Sequence, residues 1–135
     1  MRIVVGVDGS DQSITALQEA GRLALLLGAR IEAVTIWRYP PQTSADAESL
    51  DPSFEEDAKD TLDVALTAAY GDDRPAGLIS VVQFGHPAKA LVERSAGAQM
   101  LVLGSRGLGG IQSLLLGSVS AHCATQAHCP VLIVR

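Results

Sequence analysis

The sequence predicts an α/β protein, a three-layer, doubly wound parallel sheet of five strands with helices on both faces. Three observations lead there. Apolar β-branched runs alternate with helical patterns in the order β-α-β-α-β-α-β-α-β, and each crossover of that kind joins parallel strands. The apolar content is mostly Ala, Val, Leu and Ile with only 4% aromatic residues, which suits strands buried on both faces. At 135 residues the chain has the length of one core, so residues 1–135 are expected to form a single domain with no interdomain cleft.

The elements follow in order. Arg2 to Val7 is a short β-branched run stopped by the turn-prone Asp8-Gly9-Ser10-Asp11. A helix follows, with Ile14, Leu17, Gly21, Ala24 and Leu25 on one face, Ser10 or Asp11 as its cap and Gly28 as its left-handed terminus. Ile31 to Trp37 is the second strand. Residues 38 to 50, with Pro40-Pro41, read as a long exposed loop, and a helix then runs from Asp51-Pro52 or Ser53 to about Tyr70. Leu78 to Phe84 is the third strand, Pro87 to Ala96 a helix ended by Gly97, and Met100 to Leu103 the fourth strand. After a glycine-rich loop come a helix from Ser118 to about Ala127 and a final strand from Pro130 to Val134. Ligands of such sheets bind beyond the carboxyl ends of the strands, where strand order reverses, so Asp8 to Asp11 and Gly104 to Gly117 are the loops to inspect.

Composition removes several function classes. With 47% hydrophobic and 19% charged residues the chain is globular. A net charge of −5 has the wrong sign for gripping nucleic acid backbones or anionic lipid, and the aromatic residues are too few for base-stacking platforms. Seven acidic residues and one lysine fall between Asp46 and Asp60, leaving eight acidic against nine basic elsewhere, so the excess charge belongs to one segment, read as a solvated loop and helix face, with a lid or partner surface as the alternative. No apolar run has the length of a membrane span and no signal-peptide layout precedes the first strand, so the expected location is cytoplasmic. Cys123 and Cys129 are expected to be reduced. His122-Cys123 and His128-Cys129 fall on a helix and a strand start and do not encode a tetrahedral metal site. Trp37, Tyr39, Phe54 and Tyr70 are too scattered to form a cofactor box, and His86 reads as a loop residue.

The chemistry concentrates in Gly104-Ser105-Arg106-Gly107-Leu108-Gly109-Gly110-Ile111-Gln112-Ser113-Leu114-Leu115-Leu116-Gly117-Ser118. This segment follows a strand and opens a helix, whose first N–H groups and positive dipole end favour phosphate. Gly104, Gly107 and Gly117 lack a Cβ and let backbone approach a ligand, and the hydroxyls of Ser118 and Ser120 can bond phosphate oxygens. Arg106 either adds a charge or points into solvent. The plainer alternative is that the glycines only make a tight connection. Walker A fails because the two lysines, Lys59 and Lys89, lie elsewhere, and the dinucleotide fingerprint fails because Gly107-Leu108-Gly109-Gly110-Ile111-Gln112 ends without its third glycine. Asp8, at the end of the first strand, either caps the following turn or binds a ribose hydroxyl or a magnesium-linked group.

The spacing glycine, two residues, glycine, nine residues, glycine and serine, met by Gly104, Gly107, Gly117 and Ser118, resembles the nucleotide-binding signature of the universal stress protein family. The resemblance extends through Val5-Gly6-Val7-Asp8-Gly9-Ser10, Gly85-His86-Pro87-Ala88 and Cys129-Pro130-Val131-Leu132-Ile133-Val134-Arg135, with His86 where relatives often carry an acidic residue. It implies a Rossmann-like, adenine nucleotide alpha hydrolase-like fold, a homodimer paired through the last strand, bound ATP with or without magnesium, and a role in stress survival. It also implies residue roles: Val7 and Asp8 at the nucleoside end, Ile36 against adenine, and Gly104 and Gly107 near ribose and phosphate. Gly117, Ser118, Val119 and Ser120 would hold the phosphates. The expected function is a nucleotide-responsive regulatory or protective module with no catalytic triad or metal cage. Its rivals are a slow ATPase on the same scaffold and a dimeric interaction scaffold indifferent to nucleotide.

Overall fold

A computed structural model describes residues 1–39, 51–107 and 115–135. The loop expected over residues 40–50, with Asp46 and Glu48 of the acidic segment, and residues 108–114 of the glycine-rich loop lie outside those ranges. Five strands alternate with four helices among the described residues: β1 (Arg2–Gly6), α1 (Asp11–Leu27), β2 (Arg30–Trp37), α2 (Ser53–Tyr70), β3 (Ile79–Phe84), α3 (Pro87–Ser95), β4 (Met100–Gly104), α4 (Ser118–Gln126) and β5 (Val131–Val134). All pairings are parallel and the strand order is β3-β2-β1-β4-β5. The chain steps outward from β1 to β3, then returns to the other side of β1, so the reversal in strand order lies between β1 and β4.

Side-chain alternation along the strands builds two cores. Ile3, Val5 and Val102 face α1 and α2 with Leu17, Leu62 and Leu66, while Val4, Val34, Leu101 and Leu103 face the other layer with Leu91 and Cys123. Each fully buried side chain of this size contributes about 1.5–3 kcal/mol relative to exposure. At the amino end of the sheet, Glu32 sits between Arg94 at 2.8 Å and Arg2 at 3.2 Å, so each of its carboxylate oxygens is paired with a guanidinium. No described helix is long and apolar enough to cross a membrane.

α1 begins as its cap predicts, with Ser10 Oγ accepting from the Ser13 N–H at 3.2 Å, and it ends on Gly28 at φ 67°. Its buried face differs from the expected one. Ser13, Ala16, Leu17, Ala20 and Ala24 point inward, whereas Leu25 is 86% exposed. Small residues four apart let the helix settle close to the sheet, and that turns Leu25 about 100° away from Ala24. Gly21 faces α2 instead, where a Cβ would lie 3.0 Å from Cε1 of Tyr70. The Tyr70 hydroxyl donates to the Leu17 carbonyl and ties the two helices together.

The aromatic residues are less scattered than their sequence positions suggest. Trp37 and Phe84 are paired in register on β2 and β3, with ring centroids 5.1 Å apart. Tyr39 packs on both, and Phe54 at the start of α2 reaches Tyr39 at 5.4 Å. Tyr70 alone stays apart, under α1.

Two weak acids, the buried Cys123 and the half-buried Tyr70, give the fold an alkaline limit. Burial raises the Tyr70 phenol above its ordinary value of 10.0 and pushes the Cys123 thiol from 9.0 up to about 11. In both cases the folded state keeps a proton that the unfolded chain releases first. The contribution of Cys123 is therefore complete below about pH 9 and is lost as pH rises through about 11, while that of Tyr70 is complete below about pH 10 and is lost at higher pH still. Urea midpoints measured across that interval should fall, and Cys123→Ala together with Tyr70→Phe should flatten the slope; an unchanged slope in the double variant would contradict the assignment.

Candidate functional site

Each residue of the site is positioned by its element. β1 ends at Gly6, but its pairing continues by one residue: the Val7 N–H donates to the Val34 carbonyl at 2.8 Å and Thr35 Oγ1 donates to the Val7 carbonyl at 2.9 Å. Val34 and Ile36, two apart on β2, project to the same side as Leu103. Asp8 then turns the chain, its Oδ1 accepting from the Ser10 N–H at 2.9 Å, and Gly9 takes φ 86° where Thr61 of α2 leaves no room for a side chain.

These placements surround one cavity of about 370 Å³ at the carboxyl ends of the strands, over the reversal between β1 and β4. Val7, Asp8, Ile36, Gly104, Arg106, Gly107, Gly117, Ser118, Val119 and Ser120 all line it. Gly6, Ser10, Ser13, Val34, Pro87, Leu91 and Leu103 line it too, and sequence reasoning did not single them out. Val34 was accessible from period-two alternation with Ile36. Pro87 and Leu91 come from α3, whose approach to the β1 side no local pattern encodes.

The cavity has two chemically distinct ends. Val34, Ile36, Pro87, Leu91 and Leu103 form an apolar wall. The first turn of α4 lines the cavity too, and there the N–H groups of Ser118, Val119 and Ser120 precede the first intrahelical bond, made by Ala121 N to the Gly117 carbonyl at 2.9 Å. Its N-cap residue, Gly117, has no side chain to cap the turn. Amides in that position, with the positive end of the helix dipole, suit an anion. Among the described residues the lining contains one carboxylate, Asp8, one guanidinium, Arg106, and no lysine or histidine.

Three sequence expectations change in detail. The Ser120 hydroxyl is buried and donates to the Ser105 carbonyl at 2.7 Å, so its proton serves the loop and only its backbone N–H is left for a ligand. Gly104 lines the cavity, but the space of its absent side chain is filled by α1: a Cβ there would lie 2.8 Å from Cβ of Gln12 and 3.2 Å from the Gln12 carbonyl carbon. Gly117 is less restrictive than its place at the helix start suggested, since a Cβ would meet Arg106 Cα at 3.4 Å and the Ser105 oxygen at 3.5 Å, which is near ordinary contact. Gly107 is the tight one, with a Cβ position 2.5 Å from Oδ2 of Asp8.

The cysteine and histidine pairs do not converge. Cys123 is buried between α4 and α3, His122 and His128 are exposed, and no group of three or more His, Cys, Asp or Glu gathers among the described residues. His86 is the N-cap residue of α3, without a side-chain cap bond.

Against known proteins, residues 1–135 match the universal stress protein family. A universal stress protein of Thermus aquaticus is 33% identical over 144 aligned positions, covering 98% of this chain and 97% of the relative. Longer relatives occur as well, and the chain covers 45% of one from Mycobacterium tuberculosis at 34% identity. Among solved structures, a universal stress protein from Lactobacillus plantarum superposes with a TM-score of 0.82 over 100% of this chain and 97% of its own, at 21% identity. A universal stress protein in complex with cAMP is 30% identical, with a TM-score of 0.64 over 100% of this chain and 97% of its own. The sheet order and layers described above are those of the Rossmann-like, adenine nucleotide alpha hydrolase-like fold.

Proposed function

The chain belongs to the universal stress protein family, and from that premise we propose that it is an ATP-binding module whose occupancy regulates or protects under stress. One observation carries the reading: the three N–H groups at the start of α4, without a backbone partner among the described residues, line the same cavity as a set of apolar side chains. A nucleotide needs that pairing, an uncharged slot for the base and dipolar donors for phosphate. In this reading Ile36, Val34 and Leu91 enclose adenine, with Val7 and Asp8 at the nucleoside end. Asp8 accepts from ribose hydroxyls, because a carboxylate attracts hydroxyl donors and repels phosphate. Gly104 and Gly107 flank ribose and phosphate. Gly117, Ser118, Val119 and Ser120 hold the phosphates through main-chain donors, with Arg106 beside them. The cAMP complex of a relative at 30% identity supports an adenine nucleotide here.

Magnesium, where present, travels with the triphosphate, since no described cluster of three acidic or histidine ligands would hold it alone. We propose binding and not turnover, because the described lining offers no lysine clamp and no histidine base. We also propose a single cytoplasmic domain that dimerises through the outer edge of β5, testable by sedimentation as a doubling of the 14.1 kDa mass. Isothermal calorimetry with ATP tests the central reading. A saturable heat is expected, and its absence at millimolar nucleotide would overturn it.

A further inference from the structure

We infer that Gln12 is the positioning residue for the anion-binding end of the cavity, acting through a single peptide plane; the inference rests on the nucleotide reading above. Gln12 lies in the first turn of α1 and is not part of the cavity lining. Its Oε1 accepts two hydrogen bonds, from the Arg106 N–H at 2.7 Å and from Ser105 Oγ at 2.9 Å. Because the Arg106 N–H can only donate, the amide orientation of Gln12 is determined.

On the other side of the same peptide unit, the Ser105 carbonyl accepts from the Gly117 N–H at 2.6 Å and from Ser120 Oγ at 2.7 Å. In a trans peptide the C=O and N–H point in opposite directions, so this one plane is gripped by α1 at its N–H and by α4 at its oxygen. The close seat of Gln12 against Gly104 sets the distance at which the grip works. Take away the acceptor on α1 and the plane is held from the α4 side alone, so the Ser105 oxygen tilts relative to Gly117 and the first turn of α4 shifts. The apolar wall for the base is made by other residues and does not depend on this peptide.

The consequence is selective. Gln12→Met keeps the side-chain length and removes the acceptor, and is expected to weaken ATP by at least about tenfold while leaving adenosine within about twofold. Gln12→Glu keeps an acceptor oxygen for both donors. Amide hydrogen exchange at Gly117, read by NMR in the unliganded protein, should accelerate in Gln12→Met and stay at the wild-type rate in Gln12→Glu. A merely structural role would weaken adenosine and ATP together. Equal loss for both ligands, no loss for either, or unchanged Gly117 exchange in Gln12→Met would overturn the inference, as would Gly117 exchange in Gln12→Glu as fast as in Gln12→Met. Should the wild-type protein bind neither ligand, the nucleotide reading falls, and the exchange rates still decide whether Gln12 holds the plane.

Discussion

Gly107→Val is expected to reduce ATP affinity by at least about tenfold, the largest loss of any single change in the cavity. Gly107 does not occupy the left-handed region, so backbone strain is not the cause. The cause is contact: a Cβ would stand 2.5 Å from Oδ2 of Asp8, closer than carbon and oxygen can approach. Either the 105–107 turn or the carboxylate must move. Moving the carboxylate breaks its bond to the Ser10 N–H at 2.9 Å, and moving the turn disturbs the Arg106 N–H bond to Gln12. A double-mutant cycle isolates the contact. Gly107→Ala alone should destabilise the fold by about 1–3 kcal/mol, as overpacking does. In an Asp8→Ala background that cost should vanish, because the opposing oxygen is gone. A cost that persists there would assign glycine at 107 to something other than Asp8.

Leu101→Ala should produce the largest loss of stability, about 2–5 kcal/mol in urea unfolding with an unchanged dependence on denaturant. Leu101 is 0% exposed on β4, an interior strand paired with β1 and β5, and its side chain packs in the core shared with Val4, Val34, Leu91 and Cys123. Against a total near 5–15 kcal/mol, that is a large share. Leu25→Ala provides the control. That side chain is 86% exposed, so its removal should change stability by no more than about 0.5 kcal/mol.

The contrast between these two leucines shows which parts of the fold could be read from sequence. Strand and helix positions came within a residue or two, because Gly28 and Ser10 punctuate α1 and β-branched runs mark β1, β2 and β4 by chemistry that acts locally. The inward face of α1 was misread by one step. Leu25 is more hydrophobic than Ala16 or Ala20, yet the sheet selects small side chains so that the helix can come close, and that preference is tertiary.

The part of the cavity lining that comes from Gly104, Gly107, Gly117 and Ser118 follows from the glycine spacing of the β4–α4 loop, which is a local signal. The reasons for individual residues do not follow from it. Gly104 answers to Gln12, ninety-two positions earlier, and Ser120 to the carbonyl of Ser105; both are contacts between elements that only the folded topology brings together. The aromatic grouping was missed for the same reason, since Trp37 and Phe84 become neighbours only through the register of β2 with β3.

That grouping gives the molecule an optical readout of its own. Trp37 is the one indole in the chain, immediately after Ile36 and wedged edge-on between Tyr39 and Phe84. Red-edge excitation therefore interrogates a single fluorophore one peptide bond from the proposed adenine slot, so emission from the unlabelled protein should track filling of that slot as it happens.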